Sequence, residues 1–390
     1  MEPSVVGLFL LAGLASLFMA WVIGAGSSGA TPFAPAVGAN AISTMQAAFV
    51  VGLFGFAGAV VQGANVSEAV GRGLIGGGSL PAVGVIIVLF IGAGLMAIGI
   101  KTGYPIATAF TVTGSVIGVG LALGGTPVWP KYIQISTVWV LTPIVGGGIA
   151  YSIATVLPRA DVPERYSIPL LAGAVGAVLA NVEFAYLGPG KTAGSLTGLV
   201  QRTVDLGGVA ITLTISLFVA GGIAAVVAWD IRRDMSAGLR HVLLALGSLV
   251  AFSAGGSQVG LAVGPLLPLL DDVGMIPVIA VLFGGGLGIL AGSWTAAPRM
   301  IKSLAQDYSS LGPRRSIAAL VPSFLIAQVA VLLGVPVSFN EIVVSAIIGS
   351  GAAVGGSEAV SARKIGVTLC AWVCSFGIAF VLGYGTALFL

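Results

Sequence analysis

Apolar residues run along this chain in blocks of about twenty, the length of helix that crosses the ~30 Å hydrocarbon layer of a bilayer. The blocks fall at 5–35, 46–64, 81–100, 104–123, 132–157, 168–187, 208–229, 241–270, 275–294, 317–333, 336–356 and 365–389. The pattern predicts an all-α, polytopic membrane protein of about 12 transmembrane spans. The first and eighth blocks are longer than one crossing and are interrupted by polar, glycine-rich stretches, so both are predicted to be broken or re-entrant helices.

Those interruptions repeat. Gly24-Ala25-Gly26-Ser27-Ser28-Gly29 is followed by Gly103-Tyr104-Pro105 and then Gly118-Val119-Gly120. The sequence Gly255-Gly256-Ser257-Gln258-Val259-Gly260 precedes Gly334-Val335-Pro336 and Gly349-Ser350-Gly351 in the same way, each 231 residues later. The first and eighth spans lie an odd number of crossings apart, so the two halves run through the membrane in opposite directions. This predicts an inverted repeat: residues 1–157 form the first half, 158–240 a middle section of two spans and polar loops, and 241–390 the second half. Inverted halves with broken helices at membrane depth are the layout of a secondary transporter whose substrate sits where the breaks meet.

Composition agrees with this picture: hydrophobic residues make up 57% of the chain and charged residues 7%. A soluble domain carries roughly 25% charge. Placing Met1 outside puts Lys101, Arg159, Arg165, Arg232, Arg233, Arg240, Arg299, Lys302, Arg314, Arg315, Arg363 and Lys364 in inner loops, and only Arg72, Lys131, Lys191 and Arg202 outside. Cytoplasmic loops retain basic residues, so both termini are expected outside. Glu2, with no Lys or Arg before the first apolar run, argues for an uncleaved first span rather than a signal peptide. The net charge of +3 reflects these scattered inner-loop residues and predicts no nucleic-acid partner. Neither a phosphate-cradling glycine loop, a Cys/His metal spacing nor a nucleophile elbow is present, so no enzyme activity, cofactor or metal is expected.

The candidate chemistry lies in the repeated motifs. Ser27, Ser28 and Gly29, followed by Thr31-Pro32 and Pro35, cannot sit in a lipid-facing helix because freed N–H groups in hydrocarbon cost several kcal/mol each. A half-helix that starts after such a break aims its N–H groups and positive dipole end at a cavity, a ready anion site. Ser257, Gln258 and Val259 supply the matching device in the second half. Pro105 and Pro336 each read as the first turn of a helix opening on a Gly-x-Pro turn. Thr108, Thr111 and Ser115 follow at helical spacing, and Ser338 follows Pro336; any one such hydroxyl can equally bond its own backbone. Glu341 is the carboxyl inside either motif, and an ionisable group within a span is by default a functional candidate, here for a coupled proton. Glu183 is a weaker candidate near an outer end, and Glu68 faces an outer loop. The lone His241 reads as an interface residue, and Cys370 and Cys374 as small packing residues of the last span.

With these motifs the chain resembles the inorganic phosphate transporter (PiT) family, whose repeated signature Gly-Ala-Asn-Asp-x-Ala-Asn is followed by a Gly-x-Pro-x-Ser-Thr-Thr-His stretch. Ala262-Val263-Gly264-Pro265-Leu266 and Trp139-Val140-Leu141-Thr142-Pro143 extend the likeness. The resemblance implies oxyanion uptake coupled to a cation gradient, and a homodimer. The signature aspartate falls on Ser27 and on Gln258, and the histidine on Glu341, with Phe110 at the matching place in the first half. Loss of both aspartates removes oxygens that a sodium ion would use and acceptors for a phosphate P–OH. Sulfate, fully ionised, needs donors only. With Ala251-Phe252-Ser253-Ala254-Gly255 before the second signature, the chain looks closer to the sulfate permease (CysP-type) branch. The expectation is therefore a proton-coupled sulfate importer of a prokaryotic plasma membrane, its sulfate held by Ser27, Ser28, Gly29, Thr108, Ser257, Gln258, Val259 and Ser338. The alternatives are a phosphate symporter of the same fold or an anion channel.

Overall fold

Helices form nearly every element of the computed structural model, which describes residues 3–159, 161–185, 187, 194–203, 208–271, 276–355 and 360–390. Glu2, Lys191 and part of the loop at 188–206 lie outside the described residues. In chain order the elements are α1 (Pro3–Gly26), α2 (Ala34–Gly38), α3 (Thr44–Gln62), α4 (Ala64–Arg72), β1 (Ile75–Gly76), α5 (Ala82–Thr102), α6 (Thr108–Ala122), β2 (Thr126–Pro127), α7 (Trp129–Val156), α8 (Glu164–Leu179), α9 (Leu196–Gln201), α10 (Gly208–Arg233) and α11 (Met235–Val263). A single 3-10 turn, Gly264–Leu266, leads into α12 (Leu267–Asp271), α13 (Val278–Thr295), α14 (Ala297–Gln306), α15 (Pro313–Leu332), α16 (Phe339–Gly355) and α17 (Ala362–Ala387).

Among the described residues nine helices are long and apolar enough to cross a membrane. The three other apolar blocks hold shorter helices: α6 has 15 residues, α8 has 16 and α16 has 17. At 1.5 Å per residue a 15-residue helix reaches only ~22 Å. Both α6 and α16 start late because the residues after Gly103 and Gly334 are extended.

The two expected breaks turn out differently. After α1 the chain passes through turns at 27–33 before α2, as expected. α1 has already ended at Gly26, and beyond it Pro32 has no N–H to return to Ser28 and Pro35 none for Thr31, which disfavours any resumption of that helix. The second motif is not a break: α11 runs unbroken through Gly255–Gly260, and the interruption comes at Gly264-Pro265. Glycine in a helix costs about 1 kcal/mol relative to alanine but keeps its N–H, whereas proline removes it. Gln258 and Val259 therefore lie inside a helix, and the half-helix start expected of this motif is absent.

The glycines of α11 serve packing. A Cβ on Gly255 would strike the Gly55 carbonyl of α3, and one on Gly58 the Phe252 carbonyl of α11. In the same way Gly24 of α1 abuts the Ile289 carbonyl of α13, and Gly292 the Trp21 carbonyl. So α3 packs on α11 and α1 on α13, α6 on α17 and α7 on α16, each pair joining the first part of the chain to the last. Close backbone approach of this kind drives helix association in membranes, where lipid supplies no hydrophobic contrast. α8 and α10 pack on each other at the periphery.

The strands β1 and β2 pair antiparallel, Ile75 with Pro127 and Gly76 with Thr126, tying the start of α5 to the end of α6. Tyr132 of α7 donates to the Leu74 carbonyl at 2.7 Å and fixes the start of α7 at that same end. Gly103 closes the 21 residues of α5, about 30 Å away at helical rise.

Candidate functional site

Gly103 and Gly334 each end a helix with positive φ, 74° and 57°, the left-handed conformation that glycine adopts at no steric cost. Pro105 and Pro336 do not start helices as expected. They stand in extended segments, and α6 and α16 begin three residues later, at Thr108 and Phe339. Because these segments are extended, their carbonyls have no helical partner and accept bonds from elsewhere.

Those carbonyls are met by amides. Ser27 Oγ donates to Gln258 Oε1 at 3.1 Å, a direct contact between positions 231 apart. Gln258 Nε2 donates in turn to the Val337 carbonyl at 2.5 Å. Asn340 Nδ2 donates to the Ile106 carbonyl at 2.7 Å and to the Gly26 carbonyl at 3.2 Å. Ser27, Gln258 and Asn340 are all completely buried. The turn after α1, the segment before α6, the last turns of α11 and the start of α16 thus meet at one point.

Around this point several buried polar atoms have no partner: Ser257 Oγ, Ser338 Oγ, Asn340 Oδ1 and Glu341 Oε2. Roughly nine-tenths or more of buried polar groups in folded proteins are paired, and an unpaired one costs about 1–3 kcal/mol. Four such atoms lie on the neighbouring segments around Gln258 and Asn340. The N–H groups of Ser28 and Gly29 find no backbone acceptor among the described residues. α6 starts at Ala107 without a side-chain cap, and the hydroxyl of Ser338, before α16, is itself unpartnered. Two uncapped helix starts add positive dipole ends to this neighbourhood.

The other expected site residues divide as follows. Ser28 Oγ reaches only the Ile23 carbonyl, at 3.5 Å. Gly29 is a close-packing residue, abutting the Gly24 carbonyl and Ser293 Oγ. Thr108 donates to the Met96 sulfur at 3.4 Å, while Thr111 and Ser115 bond backbone carbonyls at Thr108 and Val112. Val259 is an apolar packing residue inside α11 against Gly63 and Gly285. Glu341 is buried beside Asn340, 2% exposed.

Outside the cluster, Glu68 pairs with Arg72 and His241 Nδ1 lies 2.7 Å from Asp230. Cys370 and Cys374 are exposed on α17 rather than packed inside. Among the described residues no group of His, Cys, Asp or Glu could hold a metal ion. Asn340 is the site residue that reading the sequence misses; its place beside Glu341, in the motif already singled out, is the available signal.

Comparison with known proteins bears on what this cluster serves. The chain is 27% identical over 397 residues to a Pyrococcus furiosus protein that carries the name phosphate permease, covering 96% of this chain and 94% of that one. It is 23% identical to the chloroplastic inorganic phosphate transporter 2-1 of Arabidopsis thaliana, over 95% of this chain and 70% of that one. A solved structure described as the sodium-dependent phosphate transporter shares the fold with a TM-score of 0.79 at 21% identity, covering 98% of each chain. Residues 23–383 match the family model described as phosphate transporter family, and the chain, a multi-pass helical membrane protein, belongs to that family.

Proposed function

We propose that this protein is a secondary transporter that brings inorganic phosphate across the plasma membrane by alternating access. In this reading residues 1–157 and 241–390 act as inverted repeats, about twelve spans in all, around an anion site at their meeting point. The observation that carries it is the buried set of unpartnered groups, two hydroxyl donors at Ser257 and Ser338 and two acceptors at Asn340 and Glu341. An anion in their midst would also meet the free N–H groups of Ser28 and Gly29.

The unpartnered acceptors favour phosphate in this reading. Hydrogenphosphate carries a P–OH that must donate, whereas sulfate has no proton to give and is repelled by an unused acceptor oxygen. The expectation of sulfate rests on the loss of both signature aspartates as acceptors; Asn340 Oδ1 restores one. The relatives are named for phosphate and lend the sulfate reading no support.

Glu341 carries the coupled cation, a proton in this reading. Sodium is the second reading, favoured by the sodium dependence of the transporter whose solved structure shares the fold. Uptake of labelled phosphate and sulfate into proteoliposomes, under an imposed pH or sodium gradient, tests all of this. Phosphate should accumulate under the pH gradient, and Glu341→Gln should lose accumulation while keeping phosphate exchange. Sulfate accumulation without phosphate would overturn the substrate, and a response to sodium alone the coupling. Non-saturating flux indifferent to both gradients would make it a channel.

A further inference from the structure

Each Gly-x-Pro hairpin is gripped by a long helix from the other part of the chain. Trp372 Nε1, on α17, donates to the Pro105 carbonyl at 2.8 Å, and Trp139 Nε1, on α7, donates to the Pro336 carbonyl at 2.9 Å. Lys364 Nζ donates to the Gly103 carbonyl at 3.4 Å, and Lys131 Nζ to the Gly334 carbonyl at 3.1 Å. Lysine and tryptophan are eight residues apart on both helices, just over two turns, so each pair presents one face. One four-residue clasp is therefore built twice.

The clasped carbonyls adjoin those that hold the site. Ile106, next to Pro105, accepts from Asn340, and Val337, next to Pro336, accepts from Gln258. The two hairpins sit at opposite ends of α5, since Gly103 closes that helix while Lys131 starts α7 beside the β1–β2 pair. A clasp thus sets the position of the segment that covers the site from its own end.

Resting on the transporter reading above, we infer that Trp139 with Lys131 and Trp372 with Lys364 are two latches, and that alternating access releases one while the other stays shut. The latches are unequal. Lys364 also pairs with Asp307 at 2.9 Å and lies 4.3 Å from the centre of the Tyr104 ring, and Ser303 adds a second donor to the Gly103 carbonyl at 3.1 Å. Among the described residues Lys131 has only the neutral Gln134, at 3.0 Å, besides its carbonyl. An ion pair with a cation–π contact holds a lysine more firmly than an ion–dipole bond to an amide oxygen, so the Gly334 end opens first.

The test uses single cysteines in the full-length protein after Cys370→Ser and Cys374→Ser, with a water-soluble maleimide as probe. Val335→Cys reports on the Gly334 end and Ala107→Cys on the Gly103 end; both positions are fully buried. Trp139→Phe, which keeps an aromatic ring and removes the N–H, should raise the labelling rate of Val335→Cys at least tenfold and leave Ala107→Cys protected. Trp372→Phe should do the reverse. Lys364→Met leaves the indole packed and should act in the same direction as Trp372→Phe. Reporters that rise together in every variant, or that do not change, would overturn the latches. Labelling needs no transport, so one-ended responses in a protein that moves no phosphate would keep the latches and sink the transport reading. Phosphate uptake with unchanged labelling would do the opposite.

Discussion

Carboxamides hold the centre of this protein together. An amide both donates and accepts, so Gln258 can take the Ser27 hydroxyl on one side and give to the Val337 carbonyl on the other, which an ionised aspartate could not do. In the proposed transporter it would also keep a negative charge away from a bound anion: two like charges 4 Å apart repel by about 4 kcal/mol at an effective dielectric of 20. Charge appears instead at the edge. Burial pushes the Asp307 carboxyl up, but the Ser303 hydroxyl and the Lys364 ammonium outweigh it and hold the group below its ordinary value. A depressed carboxyl stabilises the fold above its unfolded pKa, and that contribution is lost as pH falls through the folded value. Thermal unfolding followed from pH 7 to below ~4 should therefore show an acid-side loss that Asp307→Asn abolishes; identical acid limbs would refute the contribution. Ser27 and Gln258 were legible in the sequence because the 231-residue repeat puts them in register. Asn340 was not, since an asparagine in a first helical turn looks local while its acceptors lie 234 and 314 residues away.

At the scale of elements, what matters is which interruption ends a helix and which only thins it. α1 ends at Gly26, where the Ser28 and Gly29 N–H groups find no backbone acceptor among the described residues and Pro32 and Pro35 delete further donors beyond, while Gly255 and Gly256 leave α11 intact and let it approach α3. The same type of contact recurs between α1 and α13, with Gly24 and Gly292 in place of Gly255 and Gly58. Gly255→Val should force α11 away from the Gly55 carbonyl and draw Gln258 off Ser27. A drop in detergent melting temperature of several degrees, with lost phosphate binding, is the expected outcome; a variant that melts and binds as wild type would show that the gap tolerates a side chain. The helices were readable from apolar block length, for hydrocarbon admits only apolar side chains and internally bonded backbone. The continuity of α11 was not, because a glycine-rich run reads alike whether it unwinds or packs.

For the molecule as a whole, the pairs α1–α13, α3–α11, α6–α17 and α7–α16 mean that neither end of the chain forms a core alone. Orientation in the bilayer follows from the loops. The proposed topology puts 12 of the 16 Lys and Arg residues on one side; by the excess of basic residues in cytoplasmic loops, that side would be cytoplasmic and both termini external. In intact cells, and after Cys370→Ser and Cys374→Ser, a membrane-impermeant maleimide should label Leu390→Cys, while Lys101→Cys should react only after permeabilisation; the reverse pattern would invert the topology. By itself the sequence determined the membrane class, the approximate places of the long apolar helices, the repeated motifs and the two Gly-x-Pro turns, all of which follow from hydropathy, glycine and proline along one stretch of chain. Only the tertiary structure decided which polar atoms are consumed and which remain free. Hydroxyls at Thr111 and Ser115 are taken up by their own helix and that at Thr108 by Met96 of α5, while Ser257, Ser338, Asn340 and Glu341 keep unpartnered atoms. The physical reason is that a hydrogen bond is short and directional, so its partner is settled by helix packing between residues far apart in the chain.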